Sequence, residues 1–453
     1  MPHKNYDVIV IGAGSGLRVA SALAQKELSV AVVEEGPMGG TCLNRGCIPS
    51  KIIIHTADMV EEIRRAKEFG INVEYKGVNF ESIINRATTI IDTDALGIEE
   101  GLRSSKNITL YKTRGEFIDN KTVKVGDETI TGERILIAAG SRPFVPPIPG
   151  LKEAGYITSD EALRLQKQPK RMVVVGGGYI STELGHFFGT LGTEITVIET
   201  VPLLIAREDK EVAELFTKLF SQKHKVLLEH KVKGIEKSAS AKVVVAEDKD
   251  GNEVRVETDE ILVTTGRKSN TDILKIENTD VHITERGNII TNEFMETNVP
   301  NVWALGDIVG KAPFKHGANK EAEVVLAHML GEAKVAMDYT IMPHAIFSSP
   351  QVAGVGLTEE EVKAKNILYR IGKKMYEQTG MGQAIQEHDG FVKFIIGTQD
   401  EKILGCHIIG PHASILIHEV VVAMTKTDGT VSSIRDAIHI HPALSEVVQR
   451  ALY

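Results

Sequence analysis

Cysteine is scarce in this chain, with three residues among 453. That scarcity excludes a disulfide-stapled scaffold and fits a cytoplasmic location, where a disulfide serves redox chemistry more often than structure. Positive charge is also in deficit: 52 Lys and Arg stand against 61 Asp and Glu, for a net charge of -9. Neither nucleic acid nor an anionic membrane is expected as the main partner. No run of about 18 apolar residues occurs, and the N-terminus enters a strand-like segment at once, so no membrane span and no signal peptide are expected. Short-period repeats and low-complexity linkers are missing as well. What is present is the composition of a soluble globular protein, 42% hydrophobic and 25% charged. At about 150 residues per domain, the length predicts three domains.

Two of the three cysteines stand close together in GGTCLNRGCIPSK, residues 39–51, as Cys42 and Cys47 behind Gly39 and Gly40. A zinc site needs a second pair or histidines at ligand spacing, and only His55 follows nearby, so no metal is expected. A redox pair is the better reading. Disulfide closure requires Cα atoms roughly 4.4–6.8 Å apart, which this separation meets where a loop winds into a distorted first helical turn. So small a loop gains little stability from closure, which makes a purely structural bond the poorer explanation. Arg45, between the two, has three uses open to it: tuning the thiols, meeting an anionic substrate, or pointing to solvent.

One pattern occurs twice. DVIVI (7–11) leads into GAGSG, an alanine-rich helical stretch and the apolar run SVAVVEEG, while MVVV (172–175) leads into GGGYISTELGHFFGTLG and EITVIE. Each reads strand, glycine turn, helix, strand, acid, the order of a dinucleotide-binding βαβ unit. Gly12 and Gly176 make the tight turn, Gly14 and Gly178 let a pyrophosphate approach the backbone, and Glu34 and Glu199 are placed to accept from a ribose 2′-hydroxyl. The third glycine position holds Leu17 in the first unit and the small Ser181 in the second, so the first helix is expected to stand further from its strand. One such turn is weak evidence. Two complete ones predict two dinucleotide sites, against the alternative of two glycine turns in an unrelated α/β protein.

ILIAAGSRP (135–143) and ILVTTGRKSN (261–270) read as strands ending at Gly140 and Gly266, where the chain passes between domains. TNVPNVWALGD (297–307) ends a strand at Asp307, ahead of helical KEAEVVLAHML. An acid there suits a sugar or sugar-alcohol chain, and a plain helix cap is the competing use. From about residue 340, AIFSSPQVAGVGLT, GFVKFIIG and ILGCHIIG, followed by two helical segments, predict an antiparallel α+β domain. The expected fold class is α/β: two Rossmann-like dinucleotide-binding domains plus a C-terminal α+β domain. The expected division is 1–150, 151–270, 271–338 as a return to the first domain, and 339–453.

In the order fingerprint, C-x4-C, second fingerprint, G-D and terminal H-P-x-x-S-E, the chain resembles the flavin-dependent pyridine nucleotide disulfide oxidoreductases over essentially its whole length. CLNRGCIPSK and HIHPALSE are most similar to the dihydrolipoamide dehydrogenases of that family; much of the middle, with IHPALSEVV, resembles the mycothione reductases. The resemblance implies FAD held by Gly12, Gly14, Glu34, Gly40, Thr41, Lys51, Ala139, Gly140 and Asp307. It implies NAD held by Gly176, Gly178, Tyr179, Glu199 and Gly266. It also implies a Cys42–Cys47 redox disulfide in which Cys47, nearer the flavin, forms the charge-transfer thiolate and Cys42 exchanges with substrate. Lys51 and Glu183 match an ion pair near the flavin, and Tyr179 matches a tyrosine that in glutathione reductase covers the nicotinamide pocket. His441 matches the acid/base histidine and Glu446 its carboxylate partner, both reaching the other subunit's disulfide, so a homodimer is implied. His439 is the competing histidine, and the proline directly after His441 favours His441.

The implied reaction is oxidation of dihydrolipoamide by NAD, with the thiol free or carried on a lipoyl domain of a 2-oxoacid dehydrogenase complex. One alternative is an NAD(P)H-dependent reductase of a mycothione- or glutathione-like disulfide, supported by Tyr179. A mercuric reductase is disfavoured because QRALY carries no cysteine pair and no metal-binding domain precedes Met1; a structural flavoprotein subunit is the non-enzymatic alternative. Glu199, with no Lys or Arg before Arg207, repels a 2′-phosphate, so NAD is expected over NADP.

Overall fold

The structure is a computed structural model and describes residues 3–237, 241–332 and 335–453. The chain divides into two compact units, the first made of Met1–Ile52, Glu81–Phe144 and Gly266–Tyr339, the second of Ile53–Phe80, Val145–Thr265 and Thr340–Tyr453.

The first unit is built on a seven-stranded sheet in the order Ile108–Tyr111, Val30–Val33, His3–Ile11, Glu128–Ile137, Thr122–Val125, Gly115–Phe117, with Val302–Ala304 also paired to Glu128–Ile137. The β-branched runs explain the centre: Val8, Ile9, Val10, Val30, Ala31 and Val32 are fully buried, as strands of a parallel sheet covered on both faces must be. Helix Gly16–Gln25 packs on this sheet through Val19, Ala20, Leu23 and Ala24, one apolar stripe at helical spacing. The wider helix–strand spacing expected from Leu17 does not occur. Gly16 faces the sheet instead, where a Cβ would stand 2.9 Å from both Val10 Cγ1 and Ala138 Cβ. Leu17 turns to a satellite cluster with Ala13, Met38 and Leu102. The close approach is thus made one residue earlier than the motif places it.

The second unit holds a parallel sheet, Lys225–Leu227, Glu194–Ile198, Arg171–Val175 and Glu260–Val263, and a three-stranded antiparallel sheet from His230–Lys237, Lys242–Asp248 and Glu253–Thr258. The two sheets share a core that includes Val173, Val175, Val232, Val244 and Ile261. Its C-terminal part is the expected antiparallel α+β arrangement, five strands in the order His344–Ile346, Val352–Gly356, Ile403–Ile409, Phe391–Gly397, Tyr369–Met375, with helix Ala413–Lys426 packed against them. Cys406 lies in that core, and burial pushes its thiol well above the usual range, so the third cysteine is packing rather than chemistry. Lys393, 1% exposed, bonds Asp209 Oδ1 at 2.9 Å and Glu359 Oε2 at 2.6 Å. Asp209 also caps helix Lys210–Lys223, so the segment before that helix is fixed at a buried charge cluster. Among the described residues no helix is long and apolar enough to cross a membrane, and no three His, Cys, Asp or Glu side chains group as a metal site.

Candidate active site

The two glycine turns share one geometry. Gly12 and Gly176 both have φ +105°, a conformation that favours glycine. Gly12 N donates to Val33 O at 2.8 Å and Ala138 N to Ile11 O at 2.7 Å; the second unit repeats this with Gly176 N to Ile198 O and Thr264 N to Val175 O, both 2.9 Å. A Cβ would strike Ala138 O at 2.3 Å in the first turn and Thr264 O at 2.8 Å in the second. The acids repeat as well. Ala13 N and Gly36 N donate to Glu34 at 2.8 and 2.7 Å, while Gly177 N and Thr200 N each donate to Glu199 at 2.5 Å. Ser181, fully buried, donates to Gly178 O at 2.6 Å and so lies inside the second helix's first turn.

At Gly14, Gly140, Gly178 and Gly266 an added Cβ would meet nothing within 4 Å, so bare backbone borders open space at each. That is the cradle a dinucleotide phosphate requires, and the residues present fit FAD at Gly14 and Gly140 and a nicotinamide dinucleotide at Gly178. Gly40, φ +64°, stacks its backbone on Gly14, with a Cβ 2.8 Å from Gly14 Cα, and Thr41 follows it in helix Gly40–Arg45. Ala139 O is held by Asn270 Nδ2 at 2.8 Å. Asp307 accepts from Ser141 Oγ at 2.7 Å and lies 3.5 Å from Arg267 Nε. The plain-cap use does not apply, since Phe314 occupies the N-cap of helix Lys315–Met329.

Cys42 sits in helix Gly40–Arg45 and Cys47 opens helix Cys47–Arg65, with Gly46 between them. Asn44, buried, anchors this corner by donating to Met38 O at 2.9 Å and Gly40 O at 3.0 Å. Both cysteines are thiols here, Cys42 part-buried and Cys47 exposed. A hydrogen bond with Cys47 and then burial raise the Cys42 thiol, while the charge of Lys315 pulls it down. No motif in the sequence marks Lys315 as a site residue. Its Nζ donates to Ser15 Oγ at 2.8 Å, and Ser15 in turn donates to Asn319 Oδ1 at 3.1 Å. The available signal is its position: a cation at the first residue of a 15-residue helix stands where the helix dipole disfavours it. Arg45 resolves too. A Cβ on Gly36 would stand 3.1 Å from Glu34 Oε1 and 3.2 Å from Arg45 Nη2, so the half-buried guanidinium lies beside the first fingerprint's acid.

In the second unit, His441 Nδ1 lies 3.1 Å from both oxygens of Glu446, whose side chain is 6% exposed against 69% for His441. The His441 bond, with those from Ala443 N and Arg450, holds Glu446 below the usual carboxylate range. His439 differs: its side chain is 7% exposed and pinned to Glu419 Oε1 at 2.5 Å. Ile438 and Ile440, which flank His439, are exposed, so the segment turns His439 inward and presents His441 outward beside Ile440. Tyr179 is the first residue of helix Tyr179–Thr190, and Glu183, buried four residues on, accepts from Phe347 N at 2.9 Å. Lys51 belongs to the first unit and Glu183 to the second.

Comparison with known proteins agrees with this geometry. Residues 6–328 match the family model for pyridine nucleotide-disulphide oxidoreductase, and residues 342–452 match the dimerisation domain of the same family. The chain is 37% identical over 450 residues to a dihydrolipoyl dehydrogenase of Chlamydia pneumoniae, covering 98% of this chain and 95% of that one. It is 34% identical over 462 residues to a mycothione reductase of Mycobacterium tuberculosis, covering 99% of each. Among solved structures, the Cu(II) complex of the HOCl-induced flavoprotein disulfide reductase RclA from Escherichia coli aligns with a TM-score of 0.89 at 26% identity, over 99% of both chains. With two dinucleotide turns and a thiol pair set beside the first, the chain belongs to the pyridine nucleotide-disulphide oxidoreductases, flavoenzymes that use FAD and NAD(P).

Proposed function

We propose that this enzyme oxidises dihydrolipoamide, free or on a lipoyl domain, with NAD as electron acceptor, and works as a homodimer. The observation that carries the reading is the pair of hydrogen-bonded thiols, Cys42 and Cys47, at a helix break with the Lys315 cation acting on them. The likeness to a dihydrolipoyl dehydrogenase at 37% identity supports the choice of thiol. In the proposed sequence His441, held by Glu446, takes the proton of one substrate thiol, and the thiolate attacks Cys42 Sγ of the Cys42–Cys47 disulfide. The S–S bond breaks and Cys47 leaves as a thiolate, favoured by the nearby cation. The second substrate thiol then attacks the substrate sulfur of the mixed disulfide and its proton passes to the departing Cys42, while His441 keeps the first proton. The substrate ends as a ring disulfide and the cysteine pair holds two more electrons. FAD, when bound, supplies the two-electron acceptor that passes hydride to NAD.

In the same proposal Gly12, Gly14, Glu34, Gly40, Thr41, Lys51, Ala139, Gly140 and Asp307 serve FAD, and Gly176, Gly178, Tyr179, Glu199 and Gly266 serve the nicotinamide dinucleotide. Lys51 and Glu183 form the ion pair beside the flavin, and Tyr179 covers the nicotinamide pocket. The division at 150, 270 and 338 and a cytoplasmic location, which rests on the scarcity of cysteine, belong to it too. A second reading, reduction of a mycothione-like disulfide, is favoured by Tyr179 and by the 34% identity to a mycothione reductase over 99% of both chains. Side-by-side turnover of the flavin-loaded enzyme with dihydrolipoamide plus NAD, and with mycothione or glutathione disulfide plus NADH, tests the choice. A higher kcat/KM for a low-molecular-weight disulfide overturns the first reading in favour of the second.

A further inference from the structure

Glu208 is a carboxylate that the thiol chemistry above does not use. Its side chain is 1% exposed, and a charge so buried must be paired. Its two oxygens have different partners. Oε1 accepts from the phenol of Tyr179, and Oε2 lies 2.8 Å from His344 Nε2, which donates to it. Burial acts to raise Glu208, yet the bonds from His344 and Tyr179 prevail and hold it below the usual carboxylate range. An ionised carboxylate only accepts, so the phenol is the donor and its orientation is fixed. The rings of Tyr179 and His344 stack behind this bond, centroids 6.2 Å apart and planes at 22°.

The three residues come from distant parts of the second unit. Tyr179 is the first residue of the helix that opens at the second glycine turn. Glu208 precedes helix Lys210–Lys223, beside the Asp209 that Lys393 fixes. His344 begins the C-terminal antiparallel sheet. The bond therefore ties the mouth of the dinucleotide turn to a segment held rigid by a buried charge cluster.

We propose that Glu208, oriented by His344, is a positioning residue that latches Tyr179 in its covering position, so that nicotinamide enters only when a charged, desolvated hydrogen bond is broken. This rests on the reading of Tyr179 as the cover of the nicotinamide pocket. The latch lowers the population competent to bind, and the apparent dissociation constant for NADH rises by the inverse of that population. A hydrogen bond to a charged group corresponds to a factor of about 10 or more.

The test is fluorescence titration of the flavin-loaded enzyme with NADH, which is independent of the thiol substrate, for Tyr179→Phe, Glu208→Gln, the double variant and Tyr179→Ala, with melting curves alongside. Tyr179→Phe removes only the hydroxyl and leaves the ring and the Glu208–His344 pair in place. It is expected to bind NADH about 10-fold more tightly, with the gain appearing in KM for NADH rather than in kcat. Glu208→Gln is expected to reproduce much of that gain, and the double variant to add nothing to Tyr179→Phe, because both changes remove one bond. Additive effects, or unchanged affinity in Tyr179→Phe, overturn the latch. If Tyr179→Ala alters binding while Tyr179→Phe and Glu208→Gln do not, the cover stands and only the latch fails. If all of them leave NADH affinity unchanged, the cover reading itself fails.

Discussion

The two βαβ turns repeat each other almost bond for bond, and then differ in what surrounds them. In the first, Glu34 has the Arg45 guanidinium beside it, Gly40 stacks on Gly14, and the Lys315 amine reaches Ser15 inside the fingerprint. In the second, no Lys or Arg follows Glu199 before the exposed Arg207, and the side chain at the helix start is Tyr179, held by a carboxylate. A turn with cations close by suits a pyrophosphate that stays, whereas a turn whose helix opens with a tethered ring suits, on the proposed reading of Tyr179, one that comes and goes. The same backbone motif thus serves a resident cofactor or an exchanging one, according to residues that lie outside it.

Breaking each turn should expose the largest contrast. Gly12→Ala meets a backbone oxygen at 2.3 Å and a positive φ, and is expected to cost at least about 2–3 kcal/mol and to yield protein without flavin. Gly176→Ala, at 2.8 Å, should remain yellow and folded while its KM for NADH rises. Flavin absorbance after purification, melting temperature and steady-state kinetics check the pair, and a yellow Gly12→Ala protein would contradict the contrast.

The chemistry divides in the same way, thiols in the first unit and His441 in the second. Cys42→Ser and His441→Ala homodimers should each lose activity by about 10²–10⁴-fold or more. A mixed dimer of the two, isolated by differential tags, should recover roughly half the normal rate, since one of its two sites combines intact cysteines with an intact histidine. No recovery in a flavin-loaded mixed dimer would place His441 with its own chain's cysteines or remove it as the base.

Smaller effects sharpen the role of charge at each turn. Lys315→Met removes a cation that favours the thiolates, so their ionisation should move to higher pH, by about 1 unit. A pH titration of the long-wavelength charge-transfer band in the two-electron-reduced enzyme reads this directly, and Cys47→Ser should remove the band. Last, Glu199→Ala should narrow the preference for NAD over NADP by about 10-fold or less, through loss of one hydrogen-bond partner and one like charge. Comparable specificity constants for the two dinucleotides in the unaltered enzyme would already refute the discrimination assigned to Glu199.

The sequence made legible whatever is local: both turns with their acids, the cysteine pair, and His441 with a carboxylate five residues on. It also made the C-terminal antiparallel sheet legible, through strands separated by glycine turns. What it hid was made by folding. Lys315 meets Ser15 across 300 positions, and His344 meets Glu208 across 136, so no spacing rule could pair them. Leu17 misled because the motif assigns close packing to one position, whereas the helix rotation used here gives it to Gly16. Arg45 was ambiguous because a loop cation has no fixed direction until its neighbours are known.

The outward face of the His441 segment has a consequence for how activity appears in a cell. Ile440 stands bare beside a histidine that, on the shared-site reading, completes only a partner's thiol pair. A newly made single chain would then be silent whatever its flavin content. At low expression the amount of working enzyme would grow with the square of the amount of protein, and it would become proportional only once pairing saturates. Dilution, rather than any inhibitor, would be the simplest way to switch it off.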